Sequence, residues 1–385
     1  MSEQTSSMNQ DEVAAKRQNY MEKDSVVSSQ LYSPTMTEDY SRISDTARAV
    51  NAEVLPKMQA YLRRIRTRIA SMRSDEEFMI ADYGAADGAN SSELFLEISR
   101  QIHEVNAALA IKLVYIDLAD PEGFMAFWNG SALSRLEHVD SQYIQRSFYE
   151  RFPEIEGKLQ IGFSSTALHW MNATTVGPEF FRHPHCLQPN QLPAHECQRF
   201  AEKWNEDFRT FLQECSQSLV EGGALFLANL ANLGGDRWPA SPGYNNLWEI
   251  CQELHRERKL SDAELEAIFI PDYFATPQEM ASLFEQDNLK DCFALRSCDH
   301  LTVPCAYFAR SQDKLHDPQE RSMLAATLAR VVRAWSESSM QIGLNPDNKT
   351  LIEEVYRRLQ EKFCEKPEGL PYQYCLLELA KTNYA

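Results

Sequence analysis

The sequence predicts an α/β protein, a largely parallel sheet wrapped by helices, and three observations carry that expectation. Short apolar runs of strand length alternate with longer runs whose apolar residues recur at helical spacing. Two of those strands, EFMIADYG and AIKLVYIDLA, bracket a helix within about 40 residues, the span of a βαβ unit. Hydrophobic residues make up 43% of a 385-residue chain, enough to bury a large core.

Taken in order, the elements read as follows. The N-terminal MSEQTSSMNQDEVAAKRQNY has no apolar h-region and is not a signal peptide; residues 1–35 read as a disordered polar tail. ARAVNAEVLPKMQAYLRRIRTRIASM reads as a helix, with Pro56 expected near a turn or kink. EFMIADYG is a buried strand ending in a glycine turn. Asn90 to about His103 follows as an amphipathic helix carrying Leu94, Phe95, Ile98 and Ile102 on one face. AIKLVYIDLA is the second strand, KLQIGFSST another, and AHECQRFAEKWNEDFRTFLQECSQSLV a long helix that EGG breaks before the strand ALFLANLA. CFALRSC and CAYFARS read as later short strands, about 318–339 and 348–365 as helices, and YQYCLLELAK as a closing strand. The stretches 172–200 and 232–290, rich in Pro, His, Trp and Asn, fit the sheet poorly and read as a cap over the strand ends, within one domain spanning 36–385.

The formal net charge of −18 argues against nucleic acid, whose phosphates demand a basic face, and against anionic membrane surfaces. No apolar run approaches the roughly 20 residues needed to span a bilayer. Nine cysteines, an odd number scattered from Cys186 to Cys375, form no disulfide framework and suit reduced thiols in the cytoplasm.

The turn Asp82-Tyr83-Gly84-Ala85-Ala86-Asp87-Gly88-Ala89-Asn90 lies at the carboxyl end of a strand, where open α/β sheets bind ligands. Its glycines let the backbone approach a ligand closely, and its alanines keep the space open. ATP would call for GxxxxGK[ST], and no lysine follows Gly88; NAD would call for GxGxxG, and its pyrophosphate would meet Asp82 and Asp87. S-adenosylmethionine, with a sulfonium, an amino group and no phosphate, suits the acids better. Asp117, at the end of the next strand, is then positioned for ribose hydroxyls. The competing reading is a tight strand-to-helix turn with solvated acids.

A second constellation is FSSTALHWMN, 163–172, again after a strand. A histidine and a tryptophan in apolar company suit a packed core. They also suit a site in which imidazole and indole N–H groups donate to a carboxylate, because indole can only donate. The third is FRHPHCLQPNQLPAHEC, with His183, His185, Cys186, His195 and Cys197; its spacing matches no structural zinc pattern, and it reads as a cap loop without a metal.

Several of these stretches resemble one family, the SABATH carboxyl methyltransferases, which includes the salicylic, benzoic, jasmonic and indole-acetic acid enzymes and the caffeine-pathway N-methyltransferases. The resemblance runs from about Met36 to the C-terminus. DYGAADGAN stands where the family has DLGCSSGPN, IDLAD for NDLPS, RSFYERFPE for GSFYGRLFP, FSSTALHWMN for HSSYSLHWLS and IPDYFATPQEM for IPQYTPSPEEV. It implies a class I methyltransferase with a Rossmann-like sheet and a helical cap, S-adenosylmethionine as cofactor, a small carboxylic acid as substrate, and a homodimer as an admissible assembly. Tyr40 and Ser44 of YSRIS, with Asp82, Gly84 and Asn90, would hold the methyl donor. Asp117 and Leu118 would contact ribose and adenine, Ser147 and Phe148 the adenine, with Ser164 nearby. His169 and Trp170 would grip the acceptor carboxylate, and Thr166 and Trp248 would line its pocket. N-methylation of a heterocycle and SAM binding without turnover are the competing functions. The sequence departs from the family pattern at Ala47, where a glutamine is expected, at Thr166, where a tyrosine is expected, and at Ala85, where a cysteine is expected. The lost bulk at Ala47 and Thr166 predicts a larger acceptor pocket that favours bulkier acids over benzoic and salicylic acid.

Overall fold

The computed structural model describes residues 45–235, 237–285 and 289–382. Tyr40, Ser44 and the N-terminal tail lie outside the described residues. Seven strands form one sheet: β1 (Glu77–Tyr83), β2 (Ala110–Asp117), β3 (Val139–Gln145), β4 (Leu159–Ser165), β5 (Leu219–Leu230), β6 (Phe293–Val303) and β7 (Tyr372–Lys381). Their spatial order is β3-β2-β1-β4-β5-β7-β6. The first five run parallel, and β7 inserts antiparallel between β5 and β6. The order reverses between β1 and β4, so a crevice opens beyond their carboxyl ends.

The helices are α1 (Asp45–Arg64), α2 (Arg66–Ser71), α3 (Ser92–Val105), α4 (Pro121–Gly130), α5 (Ala194–Ser218), α6 (Ser241–Arg256), α7 (Asp262–Ala267), α8 (Pro277–Ser282), α9 (Leu289–Cys292), α10 (Ala306–Ser311), α11 (Pro318–Gly343) and α12 (Leu351–Glu365). Both faces of the sheet are covered. β1 sends Phe78 and Ile80 into one core, with Met58 of α1, Phe95 of α3 and Leu247 of α6. It sends Met79, Ala81 and Tyr83 into the other, with Phe208 and Phe211 of α5. A strand buried on both faces reads as a continuous apolar run, which is why EFMIADY was legible. Among the described residues no helix is long and apolar enough to cross a membrane.

Four expectations change. CAYFARS contributes α10, not a strand, because Pro304 ends β6 and both edges of β7 are already paired. β3 was not foreseen: it is an edge strand in which Ile144 alone is buried, so it carries no apolar run. EGG lies inside β5 instead of before it. A Cβ on Gly223 would meet the carbonyl oxygens of Val220 and Leu159 at 2.9 and 3.1 Å, so glycine lets two backbones close on each other where the β4–β5 register shifts. Pro56 sits within α1, and the break between α1 and α2 falls at Ile65.

Candidate active site

The glycine turn leaves β1 into the crevice. Gly84 and Gly88 have φ of 83° and 82°, and Ala86 has φ of 51°. Left-handed backbone is cheap for glycine alone, so both glycines serve the turn itself. A Cβ on Gly84 would also lie 2.4 Å from the Cβ of Ala167 and 3.5 Å from the Phe148 ring. The turn therefore lies directly against the loop that carries His169 and Trp170. Ser164 ties them further, its hydroxyl donating to the Tyr83 carbonyl at 2.7 Å.

Asp117 organises the turn. Its Oδ2 accepts from the Ala86 N–H at 2.8 Å and its Oδ1 from the Ala119 N–H at 2.9 Å. Burial raises its pKa, and these backbone donors counter that. A carboxylate has about four lone-pair sites, and the backbone donors of Ala86, Leu118 and Ala119 do not use all of them. Asp82 is buried beside it, and burial pushes its carboxyl up to about 7, against a hydrogen bond from Ser91. Leu118 is 45% exposed at the tip of β2. Phe148 is half-buried against Tyr149, with ring centroids 4.6 Å apart, and the Ser147 hydroxyl accepts from the Tyr149 N–H at 3.3 Å. Asn90 receives α1, its carbonyl accepting from the buried Asn51 at 2.9 Å. Ala47 is buried one turn earlier on that helix.

This donor set fits S-adenosylmethionine. Two acids face a turn without lysine or arginine, which suits a cationic ligand lacking phosphate. The exposed Leu118 and half-buried Phe148 offer apolar surface of the kind an adenine covers.

The second half of the site is the loop 168–172, and five of its backbone groups are held by other elements. The Leu168 carbonyl accepts from the Trp204 indole at 2.8 Å, and the His169 carbonyl from the Tyr273 N–H at 2.8 Å. The Trp170 carbonyl accepts from the Tyr149 hydroxyl at 2.5 Å. Met171 N–H donates to the Pro271 carbonyl at 2.8 Å, and Asn172 N–H to Asp207 at 2.8 Å. Asp207 is in turn paired with Lys203 inside the protein. With the backbone so fixed, two side-chain atoms are left buried without a partner: His169 Nδ1 and Trp170 Nε1. Burial pushes the His169 imidazole down to about 3, so the ring is neutral at physiological pH.

Around the pair stand rings that sequence reasoning missed. Phe274 lies 5.6 Å from the His169 ring and 5.9 and 5.7 Å from Tyr244 and Trp238. Trp248 sits one turn beyond Tyr244 on α6, half-buried against the main core, and it is Tyr244 that reaches Phe274. Thr166 has φ of 57° and its hydroxyl meets the Tyr374 hydroxyl at 3.1 Å. Tyr374 is fully buried, so the Thr166 hydroxyl is held against a β7 side chain. For Phe274 a signal lay in the sequence, since IPDYF stands where the family pattern has IPQYT.

His183 lies 3.4 Å from Glu196 and its ring 5.8 Å from that of His185. Burial pushes the Cys186 and Cys197 thiols up to about 12 and about 11. Among the described residues no three His, Cys, Asp or Glu side chains gather as a metal site.

The sequence pattern of the SAM-dependent carboxyl methyltransferases matches residues 34–380. The chain belongs to that family. Its fold is that of class I methyltransferases: the solved structure of a loganic acid methyltransferase with SAH superposes with a TM-score of 0.67 at 16% identity, covering 91% of this chain and 99% of that one. A methyltransferase of Gibberella moniliformis is 25% identical over 221 residues, 54% of this chain and 56% of its own length. The salicylate carboxymethyltransferase of Clarkia breweri is 22% identical over 301 residues, 74% of this chain and 79% of its own length. The matched stretch thus spans little more than half of the first relative and most of the second.

Proposed function

We propose that this protein methylates the carboxylate of a small-molecule acid, using S-adenosylmethionine as donor and yielding a methyl ester. The observation that carries the reading is the pair of buried, unpartnered nitrogens of His169 and Trp170 on a loop packed directly against the glycine turn. When bound, the cofactor supplies a methyl group on a positively charged sulfur, open to direct displacement. Asp82, Gly84, Asn90, Asp117, Leu118, Ser147, Phe148 and Ser164 form its binding surface in this reading, with Tyr40 and Ser44 from the segment before α1. Asp117 offers its remaining lone pairs to the ribose hydroxyls.

His169 and Trp170 orient the acceptor. A carboxylic acid is already ionised at pH 7, so no general base is required. A neutral imidazole and an indole, each donating one hydrogen bond, hold one carboxylate oxygen and leave the other free. Rate then comes from alignment, an effect worth up to about 7–11 kcal/mol in well-oriented systems. The stretches 172–200 and 232–290 close the site as a cap, and residues from 36 onward act as one domain. Nine free thiols and a net charge of −18 support a cytoplasmic enzyme that acts on small molecules and not on nucleic acid.

The test is transfer from a methyl-labelled donor to a panel of acids. A base-labile methylated product is expected; a base-stable product would point to N-methylation, and no product to SAM binding without turnover. Trp170→Phe keeps the apolar body and removes the donor. Its turnover should fall at least ~10-fold, the cost of one hydrogen bond to a charged group, while calorimetric affinity for S-adenosylhomocysteine stays at the wild-type value. A variant that keeps full specific activity but loses thermal stability would make Trp170 a core residue only.

A further inference from the structure

One buried acid beside the His169–Trp170 pair has no part in that reading. Asp272 stands opposite Trp170 in an isolated antiparallel bridge. Residues that face each other in this way present their side chains on one face, with Cβ atoms about 4.5–5.5 Å apart. Asp272 is 0% exposed. Its Oδ2 accepts from the Tyr244 hydroxyl, while Oδ1 is buried with no partner. Trp170 Nε1 is also buried with no partner, so these two neighbouring groups do not satisfy each other. Burial pushes the Asp272 carboxyl up to about 7, and the Tyr244 hydroxyl and the Gln188 amide, neither of them a cation, counter that rise, so the group is an ionised acceptor above neutral pH. Its surroundings join the site through Phe274, which lies 5.9 Å from the Tyr244 ring and 5.6 Å from the His169 ring.

A buried polar atom without a partner calls for a specific explanation, and a ligand group is one. Indole can only donate a hydrogen bond, and an ionised carboxylate can only accept one. On residues that face each other, Trp170 Nε1 and Asp272 Oδ1 ask for a molecule that presents both an acceptor and a donor. A plain carboxylic acid supplies the acceptor, leaves Oδ1 unpaired and brings a second negative charge close to it. An acid with a hydroxyl or ammonium group a few bonds from its carboxylate answers both atoms. We propose that Asp272 is a specificity determinant that accepts a hydrogen bond from a hydroxyl or ammonium substituent held close to the carboxylate of the acceptor acid, with Tyr244 as the positioning residue that fixes its other oxygen. This inference rests on the carboxyl-methylation reading.

The experiment, run at pH ~8.5 where Asp272 is ionised, compares kcat/KM across two matched trios: phenylacetic acid, mandelic acid and phenylglycine, and benzoic, salicylic and 2-(aminomethyl)benzoic acid. In at least one trio the wild-type enzyme favours a substituted member by ~100-fold or more, within the ~10⁴–10⁵-fold ceiling for a site built around a substrate hydroxyl. Asp272→Leu, of similar size and unable to accept, brings that ratio below ~10-fold. Asp272→Asn retains an accepting oxygen without charge; it keeps a hydroxyl preference and loses an ammonium preference, which separates the two substituents. A wild-type enzyme that favours the unsubstituted acid in both trios overturns the proposal whether or not the variants fold. So does an unchanged ratio in a folded Asp272→Leu. Ester formation without substituent preference overturns the role of Asp272 alone, whereas no ester from any acid overturns the carboxyl-methylation reading with it.

Discussion

Asp82 and His169 carry opposite pH signatures into the same site, and both arise from burial. The Asp82 carboxyl is pushed from 3.8 up to about 7, so the folded chain keeps a proton that the unfolded chain has released across that window. Its contribution therefore favours the folded state below pH 3.8 and is lost progressively as pH rises to about 7. His169 is pushed from 6.5 down to about 3, so its contribution is present above 6.5 and lost as pH falls toward 3. Asp82→Asn removes only the first effect. The ligand-free variant should gain on the wild type in urea-denaturation stability as pH is raised from 4 to 7.5. A difference that stays flat over this range would show that Asp82 is not held protonated. His169 remains neutral throughout, so the pH dependence of turnover should show no titration near 6.5 that His169→Asn removes.

At the scale of elements, the loop 168–172 shows how neighbouring segments orient two side chains that make no hydrogen bonds of their own. Tyr149 is the informative member because it spans both halves of the site. It follows Ser147 and Phe148, and its hydroxyl holds the Trp170 carbonyl. Tyr149→Phe keeps the ring packing and removes that bond, leaving the carbonyl unpaired. Loss of one hydrogen bond with a buried partner left behind costs about 1–3 kcal/mol. Part of this should appear as a raised KM and lowered kcat for the acceptor, with S-adenosylhomocysteine affinity unchanged. Equal loss of stability with unaltered kcat and KM would reduce Tyr149 to a packing role. None of this network was visible along the chain, because its partners Tyr149, Trp204 with Asp207 on α5, and Tyr273 come from three separate stretches.

For the whole molecule, β7 decides whether the sheet closes. It pairs with β5 along Ala224–Leu230 and with β6 along Phe293–Val303, and it supplies Tyr374 to Thr166 and Glu378 to Arg64 of α1. Deleting Tyr372–Lys381 would expose two long strand edges at once, and such edges template aggregation. We expect the truncated chain to lose its cooperative urea transition and to accumulate as insoluble protein; a soluble truncation with an unchanged midpoint would show that β7 is dispensable. In the parallel half of the sheet β1, β2, β4 and β5 were legible in the linear sequence, as were the glycine turn and the LHW loop, because each rests on local periodicity or on a short motif. β1 and β2 are continuous apolar runs, and Gly84 is required by its own backbone angle. The edge strand β3, the helix at Ala306–Ser311, the contact of Thr166 with Tyr374 and the meeting of Asp272 with Trp170 were not legible. Each depends on which surfaces remain after distant segments have paired, and only tertiary packing sets that.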